Sequence, residues 1–590
     1  MVFVELLEKR GVAGKLDSHP ADAHPLTRYL ALLTRHVGQL VDLITGGVFS
    51  VSSVPDRAEG AANAVLGGLF RDTFGFRKLS VYATKKSRLV ALDTLDGSKV
   101  WDRYVRHGDS PVNLSHLSVT RTTHSGLTPL VAIAGSVDVF DKERNATIIA
   151  TMVATLNALD GSMIKKAIFK DKIIKIVDLP VDIPASSSSN FSLSSTIGLV
   201  TESESGEIGM RVWPDTGEAL DAVKAVSDRL YFTLGDQAGS SRIKGYRVGV
   251  SDRDEDGGSE AAAAVPAAIV PHEIWSVDIS EGELIVSVAD RVPTDRVASL
   301  GRVLGDRSVL YKYLNPHMKI VVASSPNNTG FTMYLIDQVS GHILHTARHT
   351  DGKVSADHPI LAMQCENWIV YQYWKTEDPA VQAATAREQA RQINAHAIVA
   401  MELYESNVKD ERFDSDHFSS FDPILPYVVS KTYIIPEPIT ALGVTVTRNG
   451  VAVHDAVMAL ASGKLVTVSQ MQLDPRRPLR APTNEDKAEN LAPYSPVIGF
   501  DPKHAVISHD RRVLGIGSIN SSPAHLESTS IVAAFGLDVF GTRVAPSGTF
   551  DKLSASFSKA NLVITMAALL AGSIVATTFV KRKRLSQSWK

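Results

Sequence analysis

Cysteine is almost absent from the 590-residue sequence, which contains only Cys365. A single cysteine excludes an internal disulfide and any metal cluster built on several cysteines. Because residues 362–368 have the character of a β-strand, we expect Cys365 to be a buried structural thiol and not a nucleophile. An excess of charge is also absent, since 61 Lys and Arg residues stand against 64 Asp and Glu residues. The scattered charges give no indication of a nucleic-acid partner.

Motifs of catalysis and cofactor binding are missing as well. The 18 histidines are dispersed and include no His-Glu-x-x-His pair and no Cys/His cluster. Gly515 and Gly517 lack the third glycine of a dinucleotide fingerprint. His454 and Asp455 have no serine in a nucleophile elbow near them. We therefore expect a protein that is not an enzyme and that needs no metal or cofactor.

One acidic stretch begins like a calcium-binding loop. Asp252, Asp254 and Asp256 alternate as the first ligands of an EF-hand do, and Gly257 follows them. The position that should carry a bidentate glutamate is Ala263, and no helical pattern flanks the loop. We expect residues 251–264 to form a solvated acidic loop.

The N-terminus does not have the pattern of a secretory signal peptide. Charges interrupt the apolar run of residues 1–10, and no cleavage site of small residues follows. Taken alone, this predicts a cytosolic domain. Asn-x-Ser/Thr sequons indicate instead a glycosylated domain in the lumen of the secretory pathway, and their acceptors are Asn113, Asn145, Asn190, Asn327 and Asn520. The residues by themselves leave both compartments open.

The C-terminus carries the longest apolar run. Residues 560–580 contain no charge, and a helix of that length spans about 30 Å, the thickness of a bilayer's hydrocarbon core. Four basic residues at 581–584 follow directly, and such flanks tend to stay cytosolic. We predict a transmembrane helix at 560–580 and a basic tail at 581–590. A buried core helix is the alternative.

Residues 25–45 show the clearest amphipathic helix. Its apolar side chains recur at spacings of three and four and form one stripe, made of Leu26, Tyr29, Leu30, Leu33, Val37, Leu40, Val41 and Ile44. Pro25 suits the first turn of a helix, and two glycines end the pattern. Such a stripe packs into a protein core or, in a chain with a membrane anchor, lies among the lipid headgroups.

From Phe76 onward the sequence consists of short strands separated by turns. One unit recurs: an apolar strand, a polar turn that ends in Asp-Gly or Ser-Gly, and a second strand. It occupies residues 88–101, 151–164, 332–344 and, more weakly, 457–466. Glycine supplies the positive φ that a tight hairpin requires. Hairpins at irregular spacing predict a mainly β fold, a β-propeller, with a β-sandwich array as the alternative. Residues 377–397 should form a short inserted helix.

Hairpins with the pattern Asp-Gly-x-x-x-Trp, as at residues 96–101, also occur in quinone-dependent dehydrogenase propellers. A membrane-anchored enzyme of that class is therefore the alternative function. The single cysteine disfavours it, because the central sites of such enzymes are acidic and rich in cysteine.

Several unusual strings in the second half resemble subunit 1 of the endoplasmic reticulum (ER) membrane protein complex. They lie at 305–316, 366–374, 473–478, 490–496, 526–530 and 535–547. The resemblance is strong from about Gly301 to the C-terminus and weaker from Pro25. It implies a lumenal β-propeller on one transmembrane helix, with the amphipathic helix at the lumenal membrane face. It also implies a scaffold without catalytic residues, whose partners are the other subunits, the bilayer and client membrane proteins. The complex inserts and helps to fold multipass and tail-anchored proteins.

We therefore expect six regions along the chain. They are an N-terminal segment at 1–24, the amphipathic helix at 25–50, a linker at 51–75, a propeller region at 76–555 whose family-specific part begins near 301, the transmembrane helix at 560–580 and the tail at 581–590. Members of the family begin with a signal peptide and a long propeller region ahead of the amphipathic helix. This sequence is expected to correspond to the C-terminal part of such a protein.

Overall fold

The computed structural model describes residues 1–6, 69–123, 127–141, 146–184, 191–202, 206–250, 269–292, 295–325, 329–355, 358–376, 395–413, 418–501, 503–552 and 558–588. The predicted amphipathic stripe, the acidic loop at 251–264 and residues 377–394 lie outside them. The chain divides into two compact units. One comprises Met1–Leu7 and Leu69–Thr549, and the other comprises Glu8–Gly68 and Phe550–Lys590. The first unit thus ends short of the expected boundary at residue 555.

Antiparallel strands build the first unit, and we group its described strands into eight meanders, here called blades 1 to 8. Short strand pairings link blade 3 to blade 4 and blade 5 to blade 6 within continuous sheets. Blade 1 contains β1 (Val2–Glu5), β2 (Lys78–Ala83), β3 (Arg88–Asp93) and β4 (Lys99–Tyr104). A small hairpin of β5 (Arg106–His107) and β6 (Ser110–Pro111) follows. Blade 2 contains β7 (Asn113–Arg121), β8 (Leu130–Asp141), β9 (Ala146–Asn157) and β10 (Met163–Phe169). Blade 3 contains β11 (Lys172–Asp182), β12 (Ser195–Glu202) and β13 (Ile208–Trp213), and blade 4 contains β14 (Tyr231–Leu234), β15 (Arg242–Val250) and β16 (Ile269–Asp278).

The second four blades continue the pattern. Blade 5 contains β17 (Leu284–Asp290), β20 (Met318–Ser324), β21 (Thr329–Asp337) and β22 (Ile343–Lys353), with a hairpin of β18 (Gly301–Val303) and β19 (Val309–Tyr311) inserted after β17. Blade 6 contains β23 (Leu361–Cys365), β24 (Trp368–Lys375), β25 (Ala395–Tyr404) and β26 (Tyr427–Ile435). Blade 7 contains β27 (Ile439–Val444), β28 (Asp455–Leu460) and β29 (Leu465–Ser469), and blade 8 contains β30 (Ile516–Pro523), β31 (Ser530–Gly536) and β32 (Val539–Val544).

Helices are few among the described residues. In the first unit, α1 (Gly217–Lys224) is followed by a 3-10 turn at Ser227–Arg229, and α2 (Asn484–Ala488) lies between blades 7 and 8. Thr216 caps α1 by accepting the backbone N–H of Ala219, and Thr483 and Asp486 form a capping box on α2. In the second unit, α3 extends over Lys559–Ser588.

The predicted glycine hairpins form in every case. Gly97, Gly161, Gly341 and Gly463 all have positive φ, between 69° and 82°. Two of these turns also receive a tryptophan from the preceding blade. The indole N–H of Trp101 donates to the Ala158 carbonyl at 2.9 Å, and a Cβ added to Gly161 would lie 2.7 Å from that ring. Trp275 docks against Gly341 in blade 5 in the same way. The glycines thus permit both the turn and the contact between blades.

The N-terminal strand, residues 2–5, belongs to blade 1. The prediction that the β region begins at residue 76 is therefore wrong, because these earlier residues are part of it. Strand β1 pairs with β2, and Val4 is completely buried, because an apolar strand gains most where it covers a sheet edge. Blade 1 also contacts blade 8: Lys78 Nζ donates to Ser522 Oγ at 3.0 Å, and the rings of Tyr82 and Phe535 lie 5.8 Å apart. The ring of blades therefore closes, and the predicted β-propeller is confirmed.

Two local predictions near blade 6 need correction. Residues 362–368 form a hairpin and not one strand, because Glu366 adopts a φ of 46° and turns the chain. Cys365 ends β23 and is a buried free thiol, as predicted. The described end of the predicted inserted helix, residues 395–397, begins β25, where His396 and Ala397 are buried between neighbouring strands.

Candidate functional site

The helix α3 is long and apolar enough to cross a membrane. An 18-residue stretch within Ala560–Arg584 has a mean hydropathy of 2.1, and none of that stretch is buried within the structure. Its threonine hydroxyls are satisfied inside the helix, since Thr565, Thr577 and Thr578 donate to the backbone carbonyls four residues earlier at 2.7–2.9 Å. A hydroxyl bonded in this way does not need water, which suits a helix surrounded by lipid.

A buried cluster, here called the acid–histidine centre, consists of Asp295, Glu366 and His454. The three residues lie in the segment after β17, in the turn between β23 and β24, and directly before β28. His454 Nε2 is 3.7 Å from Asp295 Oδ1 and 3.6 Å from Glu366 Oε1. The exposed fraction of the side chain is 5% for His454, 0% for Asp295 and 7% for Glu366. Blades 5, 6 and 7 thus each contribute one chemically active group to a single buried point.

Backbone contacts fix the orientation of this centre. His454 Nδ1 lies 2.9 Å from the Thr445 carbonyl oxygen, which only accepts, so Nδ1 carries a hydrogen and Nε2 faces the carboxylates. The backbone N–H of Glu366 donates to Asp295 Oδ2 at 2.5 Å. Lys312 Nζ contacts Glu366 Oε2 at 2.5 Å, and Arg291 reaches Asp295 Oδ2 at 3.4 Å. The outer oxygens are therefore occupied, while the inner ones point at the imidazole.

Opposing effects set the protonation of the centre. Burial disfavours the charged imidazole, but the Glu366 and Asp295 carboxylates outweigh burial and raise the pKa of His454. Burial likewise works against ionised Glu366, yet His454 and Lys312 lower the pKa of its carboxyl. Burial raises the pKa of the neighbouring Cys365 thiol well above its usual range, which leaves the thiol unreactive. One imidazole nitrogen and two carboxylate oxygens are donors able to hold a proton or a cation.

This centre was missed by reasoning from the sequence. In the sequence, His454 lies beside Asp455 and far from the other two residues of the centre. The three residues of the centre are far apart in sequence and meet because blades 5 to 7 are adjacent. The one local signal is that Glu366 heads the string at 366–374 that carried the family resemblance.

A second buried cluster, here called the arginine–carboxylate network, includes two residues of the family-like string at 473–478. Arg302 from β18 bonds Glu402 of β25 at 3.0 Å and also contacts Asp474. Arg476 bonds Glu489, next to α2, at 2.5 Å. Glu402 and Asp474 are each only 1% exposed. Burial opposes the charge of Arg302, but the two carboxylates raise its pKa.

The predicted glycosylation and membrane-interface residues fall mostly outside the described chain. Asn113 begins β7 and is exposed, and Asn520 lies in β30, where its exposed side-chain amide donates to the Met1 carbonyl at 2.9 Å. The other three sequons, at 145, 190 and 327, are not among the described residues, and neither is the stripe at 26–44. Use of the sequons and membrane contact of the stripe stay predictions.

Comparison with known protein families shows which family the chain belongs to. The sequence profile described as "ER membrane protein complex subunit 1, second beta-propeller" matches residues 75–547. The chain belongs to this family. The match includes all six strings that carry the resemblance, and it assigns the strands from β2 to β32 to the family's second propeller.

Curated relatives carry the name ER membrane protein complex subunit 1. The Gallus gallus protein is 30% identical over 534 residues, which are 88% of this chain and 48% of the relative. The Xenopus laevis protein is 29% identical over 535 residues, with the same shares of 88% and 48%. The Schizosaccharomyces pombe protein is 34% identical over 316 residues, 53% of this chain and 34% of the relative. This chain spans about half the length of the chicken and frog proteins.

Proposed function

We propose that this chain is a non-enzymatic scaffold subunit of an ER membrane protein complex and supports the insertion and folding of multipass and tail-anchored membrane proteins. The observation that carries the proposal is the family match over residues 75–547 in a chain that also ends in an exposed apolar helix. In this function the propeller offers binding surface, and α3 anchors it to the bilayer.

The proposal requires other subunits. One helix cannot shield the polar backbone of a client from lipid, so an insertion path needs several helices. Helix α3 has a row of small residues at a spacing of four, Ala568, Gly572 and Ala576, all exposed. Such rows let helices approach closely in membranes. We propose that this row binds a helix of another subunit.

Affinity purification of the tagged full-length chain from mild detergent tests this function. We expect a stoichiometric set of membrane subunits. Ala576→Ile should reduce their recovery, because the added side chain fills the small-residue row. Ala567→Ile is the matched control, since nine residues at about 100° each place it on the opposite side of the helix. Recovery of a clean monomer from the unchanged chain would remove the basis of the proposal.

We further propose that the propeller lies in the ER lumen and that residues 581–590 lie in the cytosol. The basic flank of α3 and the exposed sequons at Asn113 and Asn520 support this orientation. With a cleavable signal sequence placed ahead of the chain, we expect glycan addition that Asn113→Gln and Asn520→Gln together reduce. Protease digestion of sealed microsomes that removes the propeller and protects only the tail would contradict the orientation.

The amphipathic stripe at 25–50 is proposed to lie on the lumenal membrane face. Leu33→Asp or Leu40→Asp removes about 1.5–3 kcal/mol of apolar burial and adds the cost of burying a charge. We expect weaker membrane or complex association with an unchanged melting temperature of the propeller. A lower melting temperature with intact association would assign the stripe to a protein core.

A further inference from the structure

The acid–histidine centre has two inward-facing atoms that lack hydrogen-bond partners among the described residues. They are Asp295 Oδ1 and His454 Nε2, and both are fully shielded from solvent. A buried polar atom without a partner costs roughly 1–3 kcal/mol, so folded proteins rarely leave two of them face to face. Some species is therefore expected between them.

We infer that Asp295, Glu366 and His454 bind one divalent cation of the zinc class. The ligand atoms Asp295 Oδ1, Glu366 Oε1 and His454 Nε2 all lie within 4.8 Å of one another. With metal–ligand bonds of about 2.1 Å, tetrahedral ligands are about 3.4 Å apart, close to the 3.6 and 3.7 Å measured from Nε2. Small shifts would thus complete the coordination, and a water would fill the fourth position.

The surroundings support a metal-bound imidazole. Thr445 accepts the Nδ1 hydrogen of His454, which leaves the lone pair of a neutral ring on Nε2. A ligating histidine usually donates its other N–H to a carbonyl or carboxylate in this way, because the bond fixes the tautomer and the ring orientation. Mixed nitrogen and oxygen ligands favour zinc-class cations over calcium, which prefers oxygen alone.

Charge limits the affinity. Lys312 and Arg291 already contact the outer oxygens of Glu366 and Asp295, so the centre is neutral when the imidazole is uncharged. A divalent cation adds two positive charges to this buried group. We therefore expect weaker binding than at a site whose carboxylates have no neighbouring lysine or arginine.

The bound cation would act as a clamp. It would join the segment after β17, the first turn of blade 6 and the entry to β28, three parts of the ring that the sequence separates widely. The clamp is independent of the proposed membrane function, because it concerns the propeller alone.

Calorimetric titration of chelator-treated full-length protein with Zn²⁺ tests the site. We expect one site per chain in the unchanged protein. His454→Asn keeps a donor for Thr445 but removes Nε2, and it should weaken binding at least about tenfold. His504→Gln is the matched control: His504 also pairs with a carboxylate, Asp501, but is 83% exposed, so its loss should leave the titration unchanged.

Two further measurements test the metal site if His454→Asn folds poorly. Glu366→Gln preserves the side-chain volume and should also weaken Zn²⁺ binding. Co²⁺ should give visible absorption bands in the unchanged protein that both variants lose. Equal Zn²⁺ binding by the unchanged protein and both variants would overturn the inference. Absence of binding together with a melting temperature unaffected by chelator would also overturn it and would assign a proton to Nε2.

Discussion

Blades 1–4 and blades 5–8 are built from the same antiparallel hairpins, and one charged pair from each half shows how widely the burial of such pairs differs. In blade 3, Arg211 pairs with Asp171 at 2.6 Å, with side chains 56% and 43% exposed. In the second half, Arg302 pairs with Asp474, whose side chain is 1% exposed. Exposed pairs contribute little to stability, whereas removing one partner of a buried pair leaves a charge without compensation.

One of the family-like strings takes part in the buried network. The string at 473–478 contains Asp474 and Arg476, and these residues must meet Arg302 and Glu402 from other parts of the chain. Few other side chains can replace a buried charged residue, because its partner has to lie at a particular place. Each residue of an exposed pair can form hydrogen bonds with water when its partner is lost. Asp474 and Arg476 are therefore expected to tolerate substitution less well than Asp171 and Arg211.

The largest expected effect is loss of the buried carboxylate. Asp474→Ala should lower the free energy of unfolding by about 3–5 kcal/mol, because Arg302 loses a buried partner. Asp171→Ala, which removes the exposed partner of Arg211, should cost less than about 1 kcal/mol. Denaturant titration of the full chain in detergent measures both values. Equal costs would show that burial does not set the contribution of these two pairs.

Contacts between blades should be equally sensitive to substitution in both halves. Gly161→Ala and Gly341→Ala should each cost about 2–4 kcal/mol, because the methyl group meets a tryptophan ring in addition to a positive φ. Gly97→Ala has the same φ but open space around it, and it should cost only about 1–2 kcal/mol. Thermal unfolding of the three variants measures the difference, and an equal cost at all three positions would refute the docking argument.

A smaller effect concerns pH in the second half. Burial, aided by His358, lowers the pKa of His396 to about 4. Above its ordinary pKa of 6.5 the imidazole is neutral in both states and contributes nothing to the pH dependence. Between pH 6.5 and about 4 the unfolded chain binds a proton that the folded chain does not, so stability falls as the pH falls. His396→Phe should flatten this part of the melting-temperature profile, and an unchanged slope would contradict the assignment.

Local features of the molecule follow from its sequence, whereas long-range ones do not. The turns at Gly97 and Gly161 were predictable because a tight hairpin needs a positive φ within a few residues. The apolar run of α3 was predictable from its length and lack of charge. The pairing of β1 with β2 was not, since the partner lies beyond a long intervening segment. The acid–histidine centre also escaped prediction, because Glu366 reaches it through a local turn and His454 through the order of the blades.

A pair of double-mutant cycles measures directly how much burial strengthens a charged pair in this propeller. One cycle combines Arg302→Ala with Asp474→Ala, and the other combines Arg211→Ala with Asp171→Ala. We expect a coupling energy of at least about 1.5 kcal/mol for the buried pair and less than about 1 kcal/mol for the exposed pair. Coupling of the same size in both cycles would contradict the account.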